Sequence, residues 1–192
     1  MGNTKESERQ PHFETPINVP IERYQSNEIF HMVSADSLLK LAEKDFEQIA
    51  KICNEELIYN SSFRSKKEGK QYSVEDAKGF ISWAQEGWAN NNKFVFLIRG
   101  SENQIVGAID IKSQNIDAAE IGYWISSNIS GVMTNAVEAL CNIAKNAGYN
   151  SLYGMTIPNN QKSQNVLLRA GFANEGLADR KGKEYLKFTK SL

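Results

Sequence analysis

The sequence predicts an α+β fold in which a single mixed, mainly antiparallel, twisted sheet carries helices on both faces. Two patterns lead to this class. Segments rich in β-branched and aromatic residues, typical of strands, recur along the chain. Between them lie segments whose apolar residues repeat at helical spacing, so helices interrupt the strands and cover the sheet. A chain of 192 residues is long enough for one domain with a full core and short for two.

The first part of the chain is predicted to be a flexible arm, residues 1–28, ahead of one domain over residues 29–192. Residues 1–20 are polar, include three prolines and show no sustained hydrophobic period. The stretch after them is mixed, and the apolar residues 29–33 favour a strand. The domain is therefore expected to begin with that strand.

Two helices and a hairpin are predicted next. Asp45 and Gln48 resemble a capping box at the start of a helix whose apolar stripe extends to Leu57. Ser73 is expected to cap a second helix, which ends at the asparagines 90–92. Two β-branched and aromatic runs, joined by a short polar turn, then predict a hairpin with strands over 93–99 and 104–112.

The second half of the chain alternates strands with helices. A helix through Asn146 has one apolar face, and Gly148 can supply the left-handed residue after its end. A short helix is expected to stop before Gly171. Strands are predicted over 119–126, 151–157, 172–177 and 183–189, the last two as a closing hairpin.

Composition limits the classes of function. A formal net charge of -1 supplies no overall field to hold a polyanion, so nucleic acid is not expected as a partner. No apolar run approaches the roughly 18 residues of a membrane span and no signal segment is visible, which favours a cytoplasmic protein without a membrane partner. Cys53 and Cys141 lie on apolar helix faces and are expected to be reduced core residues. No Cys/His spacing suits a metal, and the choice between monomer and homodimer stays open.

The loop from Gly131 to Asn135 has the placement of an anion site. It follows a predicted strand and opens a helix, where backbone N–H groups lack intrahelical acceptors and the helix dipole adds positive potential. Such a loop can hold a phosphate without any lysine. A plain start of a helix is an equally good interpretation of this loop alone, because short motifs carry many false positives.

Four motifs follow one another along the second half of the chain. They are Glu120-Ile-Gly-Tyr-Trp-Ile125, Gly131-Val-Met-Thr134, Asn160-x-x-Ser163 and Leu167-Leu-Arg-Ala-Gly-Phe172. Their order and separation resemble the acyl-CoA core of the GNAT N-acetyltransferases, most closely the branch that acetylates the N-terminal alanine or serine of ribosomal proteins. The resemblance implies the GNAT fold and an enzyme that transfers an acetyl group from acetyl-CoA to a primary amine.

The resemblance also implies which residues contact coenzyme A. The loop would bind the pyrophosphate, the strand before it would pair with the pantetheine arm, and the asparagine motif would complete the site. The implied contacts are Trp124, Ile125, Ser126, Gly131, Val132, Met133, Thr134, Asn135, Asn160 and Ser163. Asn128 departs from the Gln or Arg of GNAT loops, and Ile129 from the glycine of this branch. Asn160 and Ser163 also fit an ordinary helix cap.

Acetyl transfer to nitrogen needs an unprotonated amine and a proton for the departing thiolate. An α-amine with a pKa of about 8 is partly neutral at physiological pH, so positioning supplies much of the rate and a base assists. Glu120 is the candidate base, although a lone glutamate is more often a solvent-facing charge. The resemblance implies Ser163 as the proton donor to the thiolate, with no metal in the reaction.

The acceptor is open at the level of the sequence. Loop 60–72 and the closing hairpin are expected to contact it, and the basic residues of that loop could favour an acidic acceptor or simply be solvated. A protein or peptide N-terminus is the leading hypothesis, and a small amine such as a polyamine or an aminoglycoside is the second. A non-catalytic acyl-CoA-binding module is the third, motivated by Asn128 and Ile129.

Overall fold

Eight strands form one sheet in the computed structural model, which describes residues 9–192. The strands are β1 (Asn18–Glu22), β2 (Ile29–Ser34), β3 (Phe94–Arg99), β4 (Ile105–Ile111), β5 (Ala119–Ile125), β6 (Ser151–Thr156), β7 (Ala173–Arg180) and β8 (Lys183–Ser191). The α-helices are α1 (Glu43–Cys53), α2 (Glu56–Ile58), α3 (Val74–Ala89), α4 (Met133–Asn146) and α5 (Gln161–Arg169). A π-helical turn, Tyr59–Phe63, continues directly from α2.

The sheet is mixed and mainly antiparallel, as the sequence predicts. Its strand order is β1-β2-β3-β4-β5-β6-β8-β7. Only β5 and β6 run parallel within the described residues, and α4 is the crossover between them. The predicted hairpins β3–β4 and β7–β8 are both confirmed.

Helices cover both faces of the sheet, which confirms the predicted layers. On one face, α1 and α3 pack over Val95, Leu97 and Ala108. On the opposite face, α4 and α5 pack over residues such as Ile109 and Ile121. Successive side chains of a strand point to opposite faces, so the apolar residues of β3 and β4 supply both cores at once.

The N-terminal arm predicted over residues 1–28 is wrong from His12 onward, where the chain packs on the domain, and residues 1–8 lie outside the described part of the chain. β1 pairs antiparallel with β2, so the sheet begins before residue 29. Upstream of β1, the His12 N–H donates to Ala147 O at 3.0 Å and Phe13 packs on Phe94, with ring centroids 4.3 Å apart. Prolines and polar residues are compatible with order here because apolar anchors hold the segment to distant elements.

We expect Phe13→Ala to destabilise the protein. Phe13 is half-buried against the rings of Trp88, Phe94 and Tyr149, so truncation removes part of an aromatic cluster. A cost of about 2 kcal/mol is expected, below the roughly 3–5 kcal/mol for a fully buried phenylalanine. Urea denaturation measures it, with Phe13→Leu as the control that keeps most of the contact. A Phe13→Ala midpoint equal to that of the wild type would contradict this anchoring role.

The helix caps match the prediction at one position and differ at another. Ser73 caps α3 as expected, its hydroxyl accepting from the Asp76 N–H at 3.1 Å. Asp45 is not the N-cap of α1 but lies one turn inside it, where its carboxylate accepts from the Ala42 N–H at 2.9 Å. α1 also ends before the predicted stripe does, and Leu57 is exposed. The change to α2 and the π-helical turn redirects the chain there.

Candidate active site

A cavity of about 730 Å³ lies across the central strands of the sheet. Side chains of β4 and β5 line it from the α1–α3 face, and residues at the start of α5 line it from the other end. Part of its wall comes from the closing hairpin, through Arg180 and Tyr185, and part from the segment after the π-helical turn, through Lys66. Both regions predicted to contact the acceptor therefore reach this cavity.

The wall of the cavity opens where β5 and β6 separate. Their parallel pairing within the described residues covers only Ala119 to Ile121 on β5. Antiparallel pairing to β4 continues to Ile125, and the Ser126 N–H donates to Val106 O at 2.8 Å. Because backbone groups alternate along a strand, those of Tyr123 and Ile125 then face the gap. β5 and β6 therefore splay apart beyond Ile121, and backbone donors and acceptors of β5 are directed into the gap.

Two hydroxyl groups meet at the edge of this gap. Ser163, in the first turn of α5, has its Oγ 2.9 Å from the Tyr123 hydroxyl. Burial raises the pKa of Tyr123 to about 12, against a smaller lowering by its hydrogen bond to Ser163, so the phenol keeps its proton near neutral pH. Asn160 caps the same helix, its Oδ1 accepting from the Ser163 N–H at 3.1 Å. The ordinary capping role expected for Asn160 is confirmed, and its amide also lines the cavity.

α5 owes its position to a glycine on β6. A Cβ at Gly154 would come within 2.9 Å of the Leu167 side chain, so the helix lies closer to the strand than any larger residue would allow. Beyond this contact, the Thr156 hydroxyl is buried, lines the cavity and has no hydrogen-bond partner in the described structure. A buried hydroxyl normally has a partner, and a ligand in the gap could supply one.

The predicted anion loop leads into α4 at a helix start that has no side-chain cap in the described structure. Gly131 has a φ of +75°. Val132 occupies the N-cap position without a side-chain hydrogen bond, whereas α3 and α5 both have one. The first backbone N–H groups of α4 therefore have no side-chain cap within the described residues 9–192. The turn after β1 holds the loop from behind, since the Tyr24 N–H donates to Gly131 O at 2.7 Å and the Asn135 amide donates to Glu22 O at 2.7 Å.

Asn128 and Ile129, which depart from the GNAT pattern, lie in a hydrogen-bonded turn before this loop. The Ile129 N–H donates to Ser126 O at 2.9 Å, and the Ile129 side chain packs against the core of the α4 face. Glu55 holds the same turn from the other side, because its carboxylate accepts from Ser126 Oγ and from the Ser127 N–H, each at 2.6 Å. Ser126 is predicted to contact the cofactor, and its hydroxyl is already bonded to Glu55.

Glu120 is surrounded by cations. Its Oε1 lies 2.7 Å from Lys112 Nζ and 3.1 Å from Arg180 Nη1, and its Oε2 pairs with Arg180 Nη2. Burial alone would raise the pKa of Glu120, but the hydrogen bonds from Arg180 and Lys112 outweigh it and the pKa is lowered. Both carboxylate oxygens are therefore occupied and weakly basic, which counts against Glu120 as the proton acceptor.

The end of the cavity that the predicted acceptor loop reaches, here called the acceptor end, combines aromatic rings with charges. Phe63 closes the π-helical turn and packs on Tyr72, with ring centroids 4.7 Å apart. Of the four basic residues in the predicted acceptor loop, Lys66 lines the cavity, whereas Lys67 pairs with Asp76 at 2.8 Å. Phe80, Trp83 and Trp124 complete the aromatic part of the wall. A π-helical turn is often found beside a functional site.

Three residues that line the cavity were not predicted from the sequence. Tyr123 occurs within a predicted motif but carries no signal for contact with Ser163, 40 residues later. Arg180 lies in a turn-forming basic stretch and pairs with Glu120 across 60 residues. Asp110 has a recognisable signal, because a lone carboxylate in the apolar strand Ile105–Ile111 is unusual.

Comparison with known proteins decides the family. The family model "Acetyltransferase (GNAT) domain" matches residues 37–173. The chain belongs to the GNAT acetyltransferase family. The resemblance and the fold class stated from the sequence are thereby confirmed, and the cavity lies where β5 and β6 separate. No curated protein matches the sequence.

Solved structures with the GNAT fold align over nearly the whole chain. RimJ from Mycobacterium smegmatis, in complex with CoA-disulfide, is 17% identical, with a TM-score of 0.72 over 91% of this chain and 86% of that chain. A ribosomal-protein-S5-alanine acetyltransferase from Vibrio fischeri is 18% identical, with a TM-score of 0.67 over 91% and 96%. The microcin C7 self-immunity acetyltransferase MccE, in complex with acetyl-CoA and AMP, is 22% identical, with a TM-score of 0.68 over 87% and 94%.

Metal-binding clusters and membrane-spanning helices are both absent from the described residues 9–192. Among residues 9–192, no group of three or more His, Cys, Asp or Glu side chains is arranged to hold a metal ion. In the same part of the chain, no helix is both long and apolar enough to cross a lipid bilayer. Cys53 and Cys141 are buried free thiols, in agreement with the prediction for them.

Proposed function

We propose that this GNAT protein transfers the acetyl group of acetyl-CoA to a primary amine, and that the amine is the N-terminus of a protein or peptide. The observation that carries the proposal is one continuous cavity that joins the gap between β5 and β6 to an aromatic and charged pocket on the α1–α3 face. A thioester in the gap and an amine in the pocket would meet there. Reaction in such a site depends first on holding two reactants in contact.

The residues present fit coenzyme A. Uncapped N–H groups at Met133, Thr134 and Asn135 suit a pyrophosphate, since they combine unpaired donors with the positive end of the helix dipole. The backbone of Tyr123 and Ile125 would pair with the amide groups of pantetheine. Asn160 and the unpartnered Thr156 hydroxyl offer further hydrogen bonds along the gap.

The hydroxyl groups of Ser163 and Tyr123 would together supply the proton for the departing thiolate. Ser163 would donate a proton to the sulfur as the carbon–sulfur bond breaks, and Tyr123 would hold the Ser163 hydroxyl in place through their 2.9 Å contact. The Ile125 N–H, which faces the gap, would stabilise the negative charge that develops on the carbonyl oxygen. Electrostatic stabilisation of this kind is usually a large contribution to catalysis.

The proposal of a protein or peptide acceptor has two supports. RimJ and the S5-alanine acetyltransferase are structural neighbours, and the second is named for a ribosomal-protein substrate. The acceptor pocket is wide and mixed in character, with aromatic rings beside Lys66 and Arg180, which suits the first residues of a peptide. Small amines remain the second acceptor class, to be separated by experiment.

Calorimetric titration with acetyl-CoA tests the cofactor part of the proposal, with ATP as the control. We expect saturable binding of acetyl-CoA that ATP does not reproduce, because the loop would then be one of several contacts along the whole cofactor. Release of free thiol in the presence of acceptor peptides then tests turnover. Absence of binding at millimolar acetyl-CoA would refute the proposal, and binding without turnover of any amine would favour the non-catalytic module.

A further inference from the structure

The cavity holds a second carboxylate that is not neutralised by a partner. Asp110 lies on β4, opposite Gly122 of β5 in the antiparallel register. Its carboxylate accepts a hydrogen bond from the Gly122 backbone, but no side chain among residues 9–192 hydrogen-bonds to it or forms an ion pair with it. Glu120, by contrast, has both oxygens occupied by Lys112 and Arg180.

Gly122 keeps the Asp110 carboxylate accessible from the cavity. A Cβ at Gly122 would lie 2.6 Å from Asp110 Oδ1 and 2.8 Å from Lys112 Cε. Any larger residue would therefore crowd the acid and its neighbouring lysine. Asp110, Gly122 and Trp124 all line the same cavity on the α1–α3 face. Asp110 thus lies at the acceptor end of the cavity, next to β5. The other edge of β5 faces the gap in which the thioester is proposed to bind.

A charged Asp110 in β4 costs folding free energy that the packing of the strand does not offset. The neighbours Ile109 and Ile111 are buried on the opposite face, and β4 is apolar apart from Asp110. An unpaired carboxylate in such a place is unfavourable unless a ligand compensates its charge. The ammonium group of an acceptor is a ligand of the required sign and size.

We infer that Asp110 binds the ammonium group of the acceptor and accepts its proton, while Glu120 positions Arg180 and Lys112. This inference rests on the proposed function. The step balances as follows: the ammonium gives one proton to the Asp110 carboxylate, and the neutral nitrogen bonds to the carbonyl carbon. As the carbon–sulfur bond breaks, the sulfur takes a proton from the Ser163 hydroxyl. The nitrogen then loses its second proton, and this proton passes to Ser163 through solvent. Asp110 then returns its proton to solvent.

The surroundings of Asp110 suit a proton acceptor near neutral pH. Desolvation in the cavity wall raises the pKa of Asp110 to about 6. The charge of Lys112 opposes this increase and the charge of Glu120 adds to it, while a hydrogen bond from the Gly122 backbone and the charge of Lys66 lower the pKa to a smaller extent. A base works best when its pKa lies near the operating pH. The other ionisable groups that line this cavity are Cys53, Tyr72, Lys93, Tyr123, Arg180 and Tyr185.

The test is the pH profile of kcat/KM for Asp110→Asn and Glu120→Gln, with an acceptor peptide that the wild type acetylates. In the wild type, we expect activity to fall as the pH decreases through about 6, because protonation of Asp110 removes the acceptor of the proton. Asp110→Asn should lose about 100-fold at neutral pH and lose this acid limb. Glu120→Gln should keep the limb and shift it to lower pH, because a charge that raises the pKa of Asp110 is gone.

The outcomes separate this inference from the proposed function. A wild type that binds acetyl-CoA but acetylates no amine overturns the proposed function and the role of Asp110 with it. An active wild type whose acid limb survives in Asp110→Asn and disappears in Glu120→Gln overturns the inference alone. Should Asp110→Asn fail to fold, Asp110→Glu decides: a slower enzyme with a displaced acid limb is expected, and an unchanged rate and profile would refute the role.

Discussion

Thr134→Glu is expected to abolish binding of acetyl-CoA while leaving the protein folded. Thr134 is the second residue of α4, at the uncapped helix start proposed to hold the pyrophosphate. A carboxylate there would occupy the positive end of the helix and repel the anion. One such repulsion at close range is worth roughly 4 kcal/mol near a protein surface, so an affinity loss of about 100-fold or more is expected.

The same substitution should not reduce stability, which distinguishes it from general damage. A negative charge in the first turn stabilises a helix by about 0.3–1 kcal/mol through the helix dipole. Calorimetry with acetyl-CoA and a thermal melt measure the two effects on one sample. Thr134→Gln is the matched control, with similar size and no charge, and should bind acetyl-CoA far better. Equal affinities for the two variants would refute an anion site at this helix.

Ser163→Ala is expected to lower kcat by about 100-fold, the lower end of the usual effect of an acid or base. The substitution removes the hydroxyl proposed to give its proton to sulfur. KM for acetyl-CoA should change little, because Ser163 lies on α5 and the proposed pyrophosphate contacts lie on another element, at the start of α4. Steady-state kinetics with a saturating acceptor peptide measure both quantities.

Tyr123→Phe tests whether the two hydroxyls act together. Tyr123 is proposed to position Ser163 through their 2.9 Å contact, so its loss should lower kcat by less than the loss of Ser163 itself. In the double variant, Tyr123→Phe should add little, because residues that act as a unit give non-additive losses. Independent, additive losses would mean that Tyr123 does not act through Ser163, and wild-type kcat in Ser163→Ala would refute the proton donor.

The elements that the sequence predicts correctly are those determined by local patterns. The apolar periods of α3, α4 and the strands of the sheet are visible in the chain, and Gly148 and Gly171 have the left-handed backbone expected after a helix. The N-terminal prediction failed because Phe13 is held by Trp88 and Phe94, far along the chain. A polar, proline-containing segment gives no local sign of such an anchor.

The sequence predicted the local motifs of the candidate site but not the side-chain contacts between residues that are distant in the chain. The glycine loop and the Asn160–Ser163 helix start were expected, since each is a short local arrangement. The assignment of Glu120 as the base did not take Arg180 into account, because that partner arrives from the closing hairpin. The only local sign of Asp110 is that a single carboxylate occurs in an apolar strand. Its accessibility depends on Gly122 of the neighbouring strand.

The most direct test of the central claim is a competition experiment read by intact mass. The protein is incubated with acetyl-CoA and an equimolar mixture of three amines: a lysine-free peptide with a free serine N-terminus, an N-terminally blocked peptide with one lysine, and spermidine. We expect one acetyl group on the peptide with the free N-terminus and little on the others. Acetylation of spermidine or lysine in preference to that peptide would contradict the N-terminal acceptor.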